Sequence, residues 1–215
     1  DWVWVKERGA ANNHILSDSV RGATKGLHSD SSTQAEFSDV LASFNTDGFV
    51  VSDHGTVNNN NDTYVAWNWK AGTAFSNDAS ATSIGSIDST GSVSTKAGFS
   101  IISYTGTGAA ATVAHGLGNA DGPFIFTGFR PAWIMQKKTN NSGHWHMWDS
   151  TRNTSNEVTR YLLANANNSE YTDGGLDILS NGFKPRKTGT GLNADGDTYI
   201  YLCFAEQPFK FANAR

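Results

Sequence analysis

The sequence predicts an all-β protein built from two tandem, related β-sandwich-like units with short helical turns. Three observations lead there. Apolar residues alternate with period two in several short runs, and Gly, Ser, Thr and Asn dominate the segments between them. Four blocks also recur in the same order along the 215-residue chain.

In chain order, DWVWVKER (1–8) is matched by AWIMQKKT (132–139), and HILSDSVRG (14–22) by WHMWDSTRN (145–153). The second pair shares Asp18-Ser19-x-Arg21 with Asp149-Ser150-x-Arg152. TQAEFSDVLASF (33–44) carries the one helical signal, a Thr33/Glu36 capping box with Phe37, Val40, Leu41 and Phe44 on one face. Its counterpart SEYTDGGLDIL (169–179) is interrupted by Gly174-Gly175. SFNTDGFVV (43–51) and ILSNGFKP (178–185) each predict a hairpin, because Asp47-Gly48 and Asn181-Gly182 readily take the positive φ of tight turns.

The last blocks, DTYVAWNWK (62–70) and DTYIYLCFA (197–205), match position by position. As strands they place Val65, Trp67 and Trp69, and equally Ile200, Leu202 and Phe204, on a predicted core face. Tyr199, Tyr201, Cys203 and Ala205 fall on the opposite face of the second copy, which is too apolar for a solvated sheet. Tyr199, Tyr201 and Cys203 are therefore candidates for a subunit interface.

The first unit spans 1–70 and a Ser/Thr/Gly-rich connector spans 71–96, with room for one weak strand. The second unit, 97–215, opens on AGFSIISYTGTGAAATVAHGLG (97–118), which predicts one or two further strands. The first unit has no equivalent of them. Either the chain is the end of a longer polypeptide or a neighbouring chain supplies them.

With 38% hydrophobic residues the chain can bury a core, while a net charge of −4 provides no basic surface for nucleic acid or an anionic membrane. No apolar run is long enough to span a bilayer, and the single cysteine, Cys203, excludes an internal disulfide.

His144 and His146 flank Trp145 and would share a strand face, a geometry open to metal ligation, but no third ligand is identifiable. Together with Trp148 these residues form the candidate contact for a ligand or partner. The loops NNNNDT (58–63) and NADGDT (193–198) offer oxygen ligands without calcium-loop spacing, so turn formation explains them better. No nucleophile motif is present, and no catalytic, cofactor-binding or metal residue is assigned. The expectation is a non-enzymatic protein without cofactors.

The ordered set WVWVKERGAANNHILSDSVRGATKGL, SFNTDGF, DTYVAWNWKAG, AGFSIISYTGTGAAATVAHGLG, GFRPAWIMQKK, LSNGFK and DTYIYLCFAEQPFKFANAR resembles a repeated domain of unknown function in tailed-phage structural proteins, especially tail-fibre-like proteins of marine phages. The resemblance implies a virion structural protein, extracellular and homo-oligomeric, with a trimer suggested by phage fibres. It implies partners among other virion proteins and contact with a host-surface glycan or protein. In similar sequences an ending like AEQPFKFANAR lies near the C-terminus, so the distal end of a longer protein is expected. A secreted adhesin or self-assembling extracellular filament is the alternative, and a glycan-cleaving tail spike a further one.

Overall fold

The computed structural model describes the chain except residues 33–37, 84, 110–124, 128, 154, 190 and 207–215, with backbone alone at 125 and 126. The first unit runs β1 (Trp2–Glu7), β2 (Ile15–Asp18), β3 (Gly22–His28), β4 (Leu41–Phe44), β5 (Phe49–Val51), one helical turn α1 (Gly55–Asn58) and β6 (Tyr64–Trp69). Next come β7 (Thr73–Asn77), the short α2 (Ala79–Thr82), β8 (Ser89–Ser94) and β9 (Phe99–Thr105). The rest is β10 (Ile125–Phe126), β11 (Pro131–Lys138), β12 (His146–Asp149), β13 (Leu162–Leu163), β14 (Leu176–Leu179), β15 (Gly182–Pro185) and β16 (Thr198–Ala205).

The strand order β3-β2-β1-β6 of the first unit recurs as β13-β12-β11-β16 in the second, where the sheet continues through β9, β8 and β7. The register recurs as well. Trp2 pairs with Trp69 and Trp4 with Trp67, just as Trp133 pairs with Phe204 and Met135 with Leu202. On the other side Asp18 lies opposite Trp2, as Asp149 lies opposite Trp133. The hairpins β4-β5 and β14-β15 complete the match, with Phe44 facing Phe49 and Ile178 facing Phe183.

Period-two alternation makes each sheet two-faced and so produces three apolar layers. Between the two large sheets, Trp2, Leu16 and Leu27 pack with Phe99, Ile101, Met135, Trp145, Ile200 and Leu202. Behind the first sheet, Val3, Val5 and Ile15 pack against Leu41, Val57 and the β4-β5 hairpin. Behind the second, Ile102, Tyr104, Ile134, Tyr199, Tyr201 and Cys203 pack against Ile178 and Phe183 of β14-β15. The units thus sit back to back, hairpins outermost. Trp145 ties them together by donating from Nε1 to the carbonyl of His28 at 2.7 Å.

Several expectations are corrected. Of the described part of the 33–44 segment, residues 38–44, Leu41–Phe44 is a strand paired with β5 and no helix forms, while the Thr33/Glu36 capping box lies outside the described residues. Val40 and Leu41 are buried, so the apolar spacing was real but served a hairpin. Both predicted hairpins form, yet neither Gly48 nor Gly182 takes a positive φ. The 71–96 connector is no loose linker: it supplies β7 and β8 of the seven-stranded sheet. Ile200 and Leu202 are buried as predicted and Phe204 partly so, but Val65 and Trp69 are only half-buried and Trp67 is 44% exposed. Of the strands expected over 97–118, β9 forms, while 110–118 lies outside the described residues.

Candidate functional site

The Asp-Ser-x-Arg signature is structural. Asp18 Oδ1 accepts the backbone N–H of Val20 and Arg21, and Arg21 Nε donates to Oδ2 at 2.5 Å. Asp149 and Arg152 form the same turn after β12, with Glu170 accepting from Arg152 and Arg160. A short polar side chain binding the backbone two and three residues on closes the turn, and the arginine locks it.

Strand β12 divides the four candidate contact residues between its faces. Trp145, just before it, is buried between the two units, which removes it from any ligand surface. His144 is exposed and its Nδ1 lies 2.9 Å from Asn165 Nδ2. His146 and Trp148 point to the opposite face and line a cleft of about 240 Å³ with Tyr161, Asp173, Lys187 and Leu192. The two histidines thus serve different surroundings, and no group of three or more metal-ligating side chains occurs among the described residues.

The cleft is an aromatic stack. His146 lies parallel to Trp148 with ring centroids 5.4 Å apart, and Tyr161 contacts both while stacking on Tyr171 at 5.0 Å. His146 Nδ1–H donates to the carbonyl of His144 at 3.1 Å, which turns Nε2 toward Gly191. A Cβ at 191 would stand 2.5 Å from that nitrogen, so the close approach requires glycine. Burial pushes the His146 pKa down to about 4, leaving a neutral imidazole at ordinary pH.

The Tyr161 hydroxyl donates to Asp173 Oδ1 at 3.3 Å, and Lys187 Nζ donates to the Asp173 carbonyl. Burial and the nearby Asp173 charge push Tyr161 up to about 12, so the phenol keeps its proton. Trp148 Nε1 has no hydrogen-bond partner among the described residues. Beneath the cleft, Gln136 Nε2 donates to Tyr104 Oη at 2.5 Å and to the Leu192 carbonyl at 3.1 Å, fixing the loop that carries Leu192. The arrangement offers non-covalent contact: aromatic edges, one carboxylate and one ammonium.

Tyr199, Tyr201 and Cys203 are fully buried inside the chain, covered by β14-β15. This overturns their reading as a subunit interface: the apolar face has an intramolecular cover, with Phe183 edge-on to Tyr201 at 4.9 Å. Burial pushes the Cys203 thiol well up, so it behaves as a small core residue. The Asn/Asp-rich loops are turns. Asn193 Oδ1 accepts from Thr107 N, and Asp197 pairs with Lys138 at 2.5 Å.

Sequence reasoning missed Tyr161, Asp173, Lys187 and Leu192, which come from loops scattered over thirty residues or more. Gly174 was the available signal, since a Cβ there would collide with Tyr161 and with the Thr159 carbonyl. In the first unit Ile15 and Ser17 stand in the positions of His146 and Trp148.

The fold defines a class: a tandem repeat of two related β-sandwich-like units. The chain belongs to the family described as Domain of unknown function (DUF7483), which matches in two overlapping segments, residues 1–120 and 116–208. No curated protein and no solved structure matches it. No helix among the described residues is long and apolar enough to cross a membrane.

Proposed function

We propose that this chain is a structural part of a phage virion, the C-terminal region of a tail fibre or related appendage, and that it contacts the host surface. The observation carrying this reading is the back-to-back packing of two units with one strand order and register. Such packing suits a stiff, repeat-built appendage whose parts contact their neighbours. The similarity to tail-fibre-like sequences supports the same reading, and the cleft at His146 and Tyr161 offers a place for a host glycan or protein. The native protein is then extracellular and homo-oligomeric, a trimer by analogy with fibres. Its subunits meet elsewhere than at Tyr199, Tyr201 and Cys203, which lie inside the chain. Electron microscopy of native particles labelled with an antibody to this chain tests the proposal. Label on the tail fibre is expected; label confined to a cell envelope would replace it with the adhesin reading.

A further inference from the structure

Strand β16 has neighbours on both edges, β11 and β9, whereas its counterpart β6 pairs with β1 and ends its sheet among the described residues. The β16–β9 register sets Phe99 against Phe204, Ile101 against Leu202, Ile102 against Tyr201 and Tyr104 against Tyr199. Carried over to the first unit, the same register would set these four residues against Trp69, Trp67, Ala66 and Tyr64.

A second observation marks the same place. A groove of about 800 Å³ opens along the end of β6, lined by Val3, Phe44, Phe49, Asn68 and Trp69. The corresponding residues of the second unit are Ile134, Ile178, Phe183, Cys203 and Phe204. Four of those five share one core with Ile102 and Tyr104 of β9. The groove therefore lies where β9's side chains enter the second unit, and it is matched by exposure of Ala66, Asn68 and Trp67.

We infer that the edge of β6, which pairs only with β1 among the described residues, is an acceptor site for an antiparallel β-strand carrying β9's apolar pattern. The incoming strand completes the first sheet by main-chain hydrogen bonds, as in β-strand addition, and seats two side chains equivalent to Ile102 and Tyr104 in the groove. Its other face, equivalent to Phe99 and Ile101, covers Trp69 and Trp67. The site is independent of whether the protein belongs to a virion.

The test uses the full chain and a fluorescein-labelled peptide of residues 97–106, AGFSIISYTG. Saturable one-to-one binding at micromolar concentration, read by anisotropy, is expected. A peptide with Ile102→Lys should bind at least tenfold more weakly. The chain variant Asn68→Lys should lose at least tenfold while keeping its thermal midpoint. That variant also excludes exchange with the resident β9, which pairs with β16 and not with β6. No saturable binding, or binding that Asn68→Lys leaves unchanged, overturns the inference. So does sedimentation showing a β6-mediated dimer of the chain that the peptide does not dissociate.

Discussion

Strands β6 and β16 hold the same place in their units and share a register with β1 and β11, yet their burial differs on both faces. Tyr201 and Cys203 are fully buried while their counterparts Ala66 and Asn68 are exposed; Leu202 is buried while Trp67 is 44% exposed. What separates them among the described residues is one neighbouring strand. Period-two patterning fixes which side chains share a face, but the depth of burial is set by what lies next to the strand and over it. The residue types follow: the fully enclosed strand carries a bulky Tyr201 and an apolar Cys203 where the edge strand carries Ala66 and the polar Asn68.

The largest effect that sharpens this contrast comes from Tyr201→Ala. It removes a buried ring packed on Phe183 and should cost about 3–5 kcal/mol, read by chemical denaturation. The reciprocal change at the equivalent position, Ala66→Tyr, should stay within about 0.5 kcal/mol, as at other exposed sites. A large loss at Ala66 would mean that the β6 edge is already enclosed.

The shared Asp-x-x-Arg turn gives the next contrast. In the first unit the pair is buried, with side chains 5% and 2% exposed; in the second, Arg152 and Asp149 are 32% and 21% exposed. Breaking a buried pair strands a charge out of water, whereas a solvated pair is worth little. Asp18→Ala should cost about 3 kcal/mol and Asp149→Ala about 1 kcal/mol or less. Equal losses in urea melts would show that the turn hydrogen bonds, and not the charge pairing, decide the cost.

Much of this architecture was legible in the sequence because the repeat carries its own control: two blocks that align must share register, and they do. The connector was misread for a physical reason. Strand β8, STGSVS, lacks large apolar residues because it packs against backbone: a Cβ on Gly91 would stand 2.4 Å from the Ile101 carbonyl. A strand that needs glycine for close approach looks like a linker. The helix reading of 33–44 failed over 41–44 because a buried hairpin strand after Val40 mimics helical spacing. Of the site, His146 and Trp148 were visible through strand parity, while Tyr161, Asp173 and Lys187 converge only through tertiary structure.

His146 replaces an isoleucine of the first unit and brings acid sensitivity with it. Its pKa falls from the ordinary 6.5 to about 4, chiefly through burial, with His144 and Lys137 also opposing the charge and the His144 carbonyl and Asp173 favouring it. Because the folded pKa is the lower, the unfolded chain binds more protons between about 4 and 6.5. Stability contributed by the neutral ring is therefore full above about 6.5 and lost as pH falls to about 4. Allowing for partial exposure, the loss is about 2 kcal/mol. His146→Ile should flatten the thermal midpoint across that window; an unchanged slope would assign the acid sensitivity to other groups.

The smallest effect is the most pointed one, because sequence pattern and structure disagree about it. By parity Trp67 is a core residue equivalent to Leu202, and truncation of a buried tryptophan costs about 3–5 kcal/mol. In the structure it contacts Trp4 at 5.5 Å but keeps 44% of its surface in water. Trp67→Ala should therefore cost only about 1 kcal/mol in the free chain, since little additional apolar surface is exposed and few packing contacts are lost. Its weight should grow once a β9-like strand lies on the edge, because the residue equivalent to Ile101 would then sit beside the ring. The rise in thermal midpoint produced by saturating 97–106 peptide should be smaller for Trp67→Ala than for the parent chain. A full loss of about 3 kcal/mol without peptide would show that Trp67 is already covered, and the difference between the two copies would then lie somewhere other than the missing strand.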